Sequence, residues 1–282
     1  MTYKTILVQV DSSRASDIRI DYATSLAAEY EAHLIGLYVT APTPLGIMPT
    51  GHSIYGQQIQ DARDQAMREN ANSLCLRFED RVKQGGWSRP EWHYEAEETW
   101  ERAAALRGRY CDLLVVGQHD PDDPESVTGA DFPADVAIAA GRPSLVVPHA
   151  NCTVGRPRRI LVAWNASREA ARAVADSLPL LRRAERVQVL VVNSEHFPTV
   201  NDAQAGEGLA RYLARQGIKA QVVKQSASTA DVGDVLMSRA LDLDVEMMVM
   251  GAYGHSRLRE IVLGGATRAV LRHTTIPVLM AH

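Results

Sequence analysis

The sequence is poor in cysteine and in long apolar runs, and each shortage excludes a class of protein. It has three cysteines, Cys75, Cys111 and Cys152, and no CxxC spacing. An odd number without ligand spacing argues against a disulfide framework or a zinc site, so we expect reduced thiols. No apolar run reaches the ~18 residues that a membrane span requires. The opening residues, MTYKTILVQVD, lack the features of a signal peptide, so we expect a cytoplasmic protein.

The signatures of common enzymes are also missing. The chain contains no GxxxxGK[ST] phosphate loop, no HExxH zinc motif and no GxSxG nucleophile elbow. Its net charge of −4 argues against an extended nucleic-acid surface. We therefore expect no catalytic residues, no metal site, no nucleic-acid partner and no membrane partner, and at most slow ATP hydrolysis.

The chain does contain an internal repeat. ILVQVDSS, starting at Ile6, resembles ILVAWNAS, starting at Ile160, and the same offset carries 34–39 onto 188–193. DLLVVGQ at 112–118 resembles EMMVMGA at 246–252, and that second register holds to the end of the chain. The two offsets differ by about 20 residues, which predicts an insertion in the first copy, within the Pro- and Gly-rich loop 41–60. We expect two domains, 1–148 and 158–282.

Each copy has the element order of an α/β domain. An apolar strand is followed by Ser13 or Ser167, which we expect to cap a helix, and further apolar strands alternate with helices. Near-continuous apolar strands alternating with helices predict a five-stranded parallel sheet with helices on both faces. In such sheets ligands bind at the carboxyl ends of the strands, where Gly251 lies.

These features resemble the universal stress protein family in its tandem, two-domain form. The resemblance covers almost the whole chain twice and rests on the ILVxxD/N first strand, the VVMG-type fourth strand and the pattern G-x2-G-x9-G-S/T. It implies two Rossmann-like domains of the adenine-nucleotide alpha hydrolase-like type. It also implies that the second domain alone binds ATP, with or without Mg. The residues it assigns to that site are Ala163, Trp164, Asn165, Val192, Gly251, Gly254, His255, Gly264, Gly265, Ala266 and Thr267.

Two positions of the second copy depart from the family pattern. Gly265 stands where the pattern has serine or threonine, and Asn165 stands where it has aspartate. The start of the helix GGATRAVLRH still offers free backbone N–H groups to an anion, and the glycines allow phosphate oxygens to approach closely. Thr267 is a candidate for the missing hydroxyl. The alternative is that these glycines only turn the chain and cap the helix.

The first copy has lost the phosphate-binding pattern. Asp120 and Asp131 replace Gly254 and Gly265, and the intervening loop carries further carboxylates. Negative charge beside a phosphate is unfavourable, so we expect a degenerate first site. We expect Asp131 to cap the last helix of this copy and the acidic loop to be solvated rather than to bind a divalent cation.

Three functions remain open for this sequence. The first is a stress-response regulator that binds an adenine nucleotide, the second a nucleotide-independent scaffold or partner-binding module, and the third a slow hydrolase or nucleotidyl transferase. The resemblance further implies that the two domains pair through their last strands, 145–148 against 278–281, as two subunits do in single-domain relatives. Association of whole chains into homodimers stays open.

Overall fold

The computed structural model describes residues 2–40, 54–96, 98–126, 129–193, 206–228, 232–252 and 265–282, with side chains in the second range from residue 58 onward. Three predicted site residues, Gly254, His255 and Gly264, lie outside these ranges. So does the first part of the predicted insertion, 41–53.

The two halves of the chain have the same succession of strands and helices. The first half contains β1 (Thr5–Gln9), α1 (Ser16–Tyr30), β2 (His33–Val39), α2 (Ile54–Gln84), β3 (Pro90–Glu95), α3 (Trp100–Gly108), β4 (Leu113–Gly117), α4 (Phe132–Ala140) and β5 (Ser144–Val147). The second contains β6 (Arg159–Trp164), α5 (Arg168–Leu181), β7 (Arg186–Val192), α6 (Glu207–Arg215), β8 (Ala220–Gln225), α7 (Val232–Asp242), β9 (Met247–Gly251), α8 (Gly265–His273) and β10 (Val278–Ala281).

The strands of the described residues form one ten-stranded sheet in the order β3-β2-β1-β4-β5-β10-β9-β6-β7-β8. Neighbouring strands are parallel within each half. β5 and β10 are antiparallel, with Leu145 opposite Leu279, and they join the halves. The predicted α/β class with five parallel strands in each copy is confirmed, although the two sets of strands are continuous with each other.

Burial explains why the inner strands are so apolar. Every residue of β4, β5 and β10 is buried, because helices and neighbouring strands leave them no solvent face. The edge strands β3 and β8 are only partly buried and carry polar residues. No helix in the described ranges is long and apolar enough to cross a lipid bilayer.

Strand pairing corrects part of the expected repeat alignment. Ile6 is paired with Leu34, whereas Ile160 is paired with Val187, so the connection into β7 is one residue shorter than the connection into β2. The counterpart of Val192 is therefore Val39. The second offset holds, because Leu113 and Met247 are paired with the same two positions, Ile6 and Ile160.

Local expectations were met in part. The Ser167 hydroxyl accepts a hydrogen bond from Ala170 N at 3.1 Å and caps α5 as predicted. The expectation for Ser13 was wrong: α1 begins at Ser16 without a side-chain cap, and the Ser13 hydroxyl donates to Asp11 instead. The predicted loop 41–60 was also too long, since α2 begins at Ile54.

Candidate functional site

The predicted site residues of the second half lie at the carboxyl ends of three adjacent strands. β6 lies between β9 and β7, and the chain runs outward from β6 on one side and returns through β9 on the other. This is the point at which the strand order reverses, where open α/β sheets bind ligands. Trp164 pairs with Val191, so Asn165 and Val192 follow together at this edge, and Gly251 ends the neighbouring strand.

Asn165 organises the turn between β6 and α5. Its side-chain oxygen accepts a hydrogen bond from Ser167 N at 3.1 Å, and Ala166 takes a left-handed backbone conformation with φ of 57°. Asn165 itself is exposed, whereas Ala163 and Trp164 are half-buried. An amide oxygen thus performs the turn-forming role of the aspartate in the first copy, and no charge is required for that role.

Gly251 is needed by the packing of the fold. A Cβ atom at this position would lie 2.6 Å from Ala170 N and 2.8 Å from the Glu169 carbonyl carbon. The glycine therefore lets the start of α5 approach β9 closely, whatever else it does. Glu169, which was not predicted from the sequence, places a buried carboxyl group at this contact. Burial raises its pKa, but hydrogen bonds from its own backbone N–H and from Ser167 outweigh burial and lower the pKa overall.

Helix α8 begins at this edge with Gly265. A Cβ atom on Gly265 would meet no described atom within 4 Å, so no described element packs against that side of the residue. Thr267 is buried at 5% exposure, on the inner side of α8, and Ala266 is half-buried. Gly233 allows α7 to pack closely against α8, because a Cβ atom at this position would lie 2.5 Å from Ala269 Cβ.

At the same edge of the first half, a buried arginine that was not predicted from the sequence lies between α1 and the sheet. Arg19 of α1 is 2% exposed, its Nη2 lies 2.8 Å from Asp11 Oδ2, and its Nε donates to Gln9 O at 2.7 Å. Gln9 bridges Asp11 and the end of β4 by donating to Asp11 Oδ2 at 2.9 Å and accepting from Gly117 N at 2.9 Å.

The repeat itself contains the signal for this difference. At the offset that relates β1 to β6, Gln9 and Arg19 correspond to Ala163 and Ala173. Long polar side chains thus stand between α1 and the sheet in the first half, whereas alanines let α5 pack directly on β9 in the second. An arginine at an otherwise apolar helix position, opposite a strand-end aspartate, indicates a buried ion pair.

Two carboxylates of the acidic loop of the first half are buried rather than solvated, which corrects the sequence-based expectation for them, whereas Asp122 and Glu125 are exposed as expected. Asp120 and Asp123 are 8% and 6% exposed. Asp123 accepts hydrogen bonds from Arg14 N at 2.8 Å and Glu125 N at 3.0 Å, and these bonds lower its pKa. Arg14 also donates to Asp122 O at 3.0 Å. Asp120 and Asp123 therefore find partners within the first half, in the loop where the phosphate-binding pattern has been lost.

Asp131 does not have its predicted role either. It stands at the N-cap of α4, but its side chain makes no capping hydrogen bond. Its Oδ1 instead lies 3.6 Å from Arg268 Nε on α8 of the other half. Arg268, in the first turns of α8, therefore lies beside a carboxylate of the first half.

We expect Gly251→Ala to lower the free energy of unfolding by about 1–3 kcal/mol, the usual cost of forcing an extra carbon into a packed contact. Gly265→Ala is the matched control, because its added methyl group would meet no described atom within 4 Å. Urea unfolding followed by circular dichroism measures both. Equal stability of the two variants would contradict the close approach of α5 to β9.

Two cavities lined by described residues lie away from this edge. One of about 630 Å³ opens beside α1, α2 and the connection between the halves, and is lined by Asp21, Glu29 and Arg81 among others. Another of about 330 Å³ lies near Arg159 and Glu246, at the opposite end of β6 and β9. Neither includes a predicted site residue.

Comparison with known proteins agrees with the repeated fold. A universal stress protein of Archaeoglobus fulgidus has 16% identity with this chain and a TM-score of 0.75, covering 98% of this chain and 95% of that one. A protein of unknown function from Pseudomonas aeruginosa also has 16% identity, with a TM-score of 0.60 and coverage of 99% and 92%. At this identity the likeness concerns the fold alone.

Sequence comparison adds the family. A curated universal stress protein of Synechocystis is 53% identical over 38 residues, which span 14% of this chain and only 13% of that protein. The family model described as "Universal stress protein family" matches twice, at residues 2–148 and 157–282. The chain belongs to the universal stress protein family, with two copies of its domain in tandem.

Proposed function

We propose that this protein is a cytoplasmic stress-response regulator that binds ATP or a related adenine nucleotide in its second domain, residues 158–282. The first domain, residues 1–148, would bind none. The proposal is regulatory rather than catalytic, and it assigns the ligand to the carboxyl edge of β6, β7 and β9.

One observation carries the proposal. Asn165 and Gly251 flank the point of strand reversal in the second half, and α8, which begins with Gly265, follows β9 in the chain. Free N–H groups at a helix start bind anions, and Gly265 has no side chain that would obstruct phosphate oxygens. The residues of this half therefore fit a nucleotide phosphate.

The described residues would divide the work as follows. Ala163, Trp164 and Asn165 would contact the adenosine, and Val192 would contact the base. Gly265, Ala266 and Thr267 would present backbone N–H groups of α8 to the phosphates. Gly251 would act indirectly, by holding α5 against β9. Gly254, His255 and Gly264 would complete the phosphate contacts if the family pattern applies.

In the first domain, the corresponding positions carry buried side chains and carboxylates. Arg19 and Gln9 are buried at the ends of β1 and β4, and the buried Asp120 replaces Gly254 of the phosphate-binding pattern. A phosphate at this edge would approach the buried carboxylates Asp120 and Asp123, which is unfavourable. This supports confining the nucleotide to the second domain.

A nucleotide-independent scaffold is the second candidate. The contact of Gly251 with α5 favours it, because that glycine has a sufficient structural reason to be present. The replacement of the family's hydroxyl residue by Gly265 points the same way.

Calorimetry with ATP, at fixed magnesium and salt, tests the proposal. We expect Gly254→Asp, which copies Asp120 of the first domain, to weaken binding about thirtyfold, or ~2 kcal/mol, because it brings charge and bulk to the phosphates. We expect Gly265→Ser to strengthen binding by about 0.5–1.5 kcal/mol, the net value of one hydrogen bond.

Asp120→Gly is the control in the first domain. It should create no second site, because the buried Asp123 and the other carboxylates of the loop remain. If the wild type shows no heat of binding at millimolar ATP, and Gly265→Ser shows none either, the nucleotide proposal is wrong and the scaffold function is favoured.

A further inference from the structure

The two halves are related by an approximate two-fold axis through the β5–β10 ladder. Val146 pairs with Val278 and Ser144 with Met280, on either side of the central pair Leu145 and Leu279. Leu145 and Leu279 are equivalent positions of the repeat. Residues that are equivalent in the repeat and touch each other therefore lie on this axis.

A charge pair lies on the same axis. Glu29, near the end of α1, and Arg183, just after α5, are equivalent at the offset that relates β1 to β6. Arg183 is paired with the Glu29 carboxylate and also donates to Glu29 O at 3.2 Å. The guanidinium of Arg183 lies 4.8 Å from the ring centroid of Tyr30. Arg156 of the connection lies 3.4 Å from the same carboxylate.

A second pair away from the axis has the same polarity. Asp131 belongs to the first half and Arg268 to the second. Their repeat counterparts are Gly265 and Ala134, which are both uncharged. In both pairs the first half supplies the acid and the second half supplies the base.

Pairing of like halves would lose these contacts. Two copies of the first half would place Glu29 against Glu29 and Asp131 beside Ala134. Two copies of the second half would place Arg183 against Arg183 and Arg268 beside Gly265. Like charges that face each other across an interface are repulsive and reject the wrong partner.

From these contacts we propose that charge selects the partner of each half: the acidic face of the first domain recognises the basic face of the second domain and rejects a second copy of itself. The surface is made by Glu29, Tyr30 and Asp131 on one side and Arg183 and Arg268 on the other. The inference is independent of nucleotide binding.

The full chain with a protease site inserted between Thr153 and Val154 tests the proposal. After cleavage, native mass spectrometry should detect pairs of unlike halves. Exchange of halves with isotopically labelled cleaved protein measures how tightly they hold each other. We expect Glu29→Arg or Arg183→Glu to speed this exchange about tenfold, and the double swap to return it to within about threefold of the parent.

Asp17→Arg is the matched control. Asp17 and Glu29 have the same 30% side-chain exposure, but Asp17 is paired with Arg77 and Arg81 inside the first domain. It should leave the exchange rate unchanged. Like-half pairs from the parent protein, or a double swap that exchanges as fast as the single reversals, would overturn the proposal. Circular dichroism confirms that each variant is folded before it is compared.

Discussion

Deletion of residues 277–282 is expected to destabilise both halves of the protein, including the half that contains none of the deleted residues. Val278, Leu279 and Met280 are fully buried, and burial of each such side chain contributes about 1.5–3 kcal/mol. Their loss is comparable with the ~5–15 kcal/mol by which a domain is stable, so the second half should unfold. β5 would then lose its only partner on that side and expose Leu145 and Val146 at a sheet edge.

The tryptophans allow the two halves to be observed separately. Trp87, Trp92 and Trp100 belong to the first half, and Trp164 is the single tryptophan of the second. In a Trp164→Phe background, fluorescence reports the first half alone. We expect its melting temperature to fall on the order of 10 °C after the deletion, since about 1 kcal/mol corresponds to ~4–8 °C in a small domain.

Deletion of His282 alone is the control for this experiment. It removes a contact with Ala252 O but leaves every residue of β10 in place. An unchanged melting temperature of the first half after the longer deletion would mean that the β5–β10 ladder adds nothing to its stability.

Replacement of Arg19 by alanine is expected to lower the stability of the first half by about 3–5 kcal/mol. The reason is Asp11, whose side chain is 4% exposed and whose partner guanidinium would be lost. Removal of one member of a buried ion pair leaves the other charge without compensation, at a cost of that size. Urea unfolding in the Trp164→Phe background measures the effect.

The second half supplies the matched rescue for this variant. It has Asn165 and Ala173 at the positions of Asp11 and Arg19, so Asp11→Asn combined with Arg19→Ala copies a combination that already exists in this chain. We expect the double variant to recover about half of the lost stability, since the charge is gone but the cavity remains. If it recovers none, Arg19 acts by filling space rather than by compensating charge.

The three cysteines are not joined in disulfides, and their surroundings disfavour the thiolate form at neutral pH. Burial raises the pKa of Cys111 to about 12 and that of Cys152 to about 11, and it also raises the pKa of Cys75. A thiol attacks as its thiolate, so none of the three is poised for redox chemistry.

The sequence by itself determined the α/β class, the two copies and the positions of their strands. This was so because a strand buried on both faces is a near-continuous apolar run, and a repeated run is visible without any structure. It also determined that the glycine pattern survives only in the second copy. Ser167 could be identified as a helix cap because such a cap depends on residues within one turn.

Only the tertiary structure decided which side chains are buried between α1 and the sheet and what each charged residue contacts. Arg19 reaches Asp11 and Gln9 because α1 packs on the sheet, and Asp131 meets Arg268 because the two halves join through β5 and β10. Position 251 likewise requires glycine because α5, which follows a different strand, packs against it. These contacts join residues far apart in the chain, and composition and local spacing do not encode them. These contacts are set by the packing of helices and strands, because that packing decides which side chains come together.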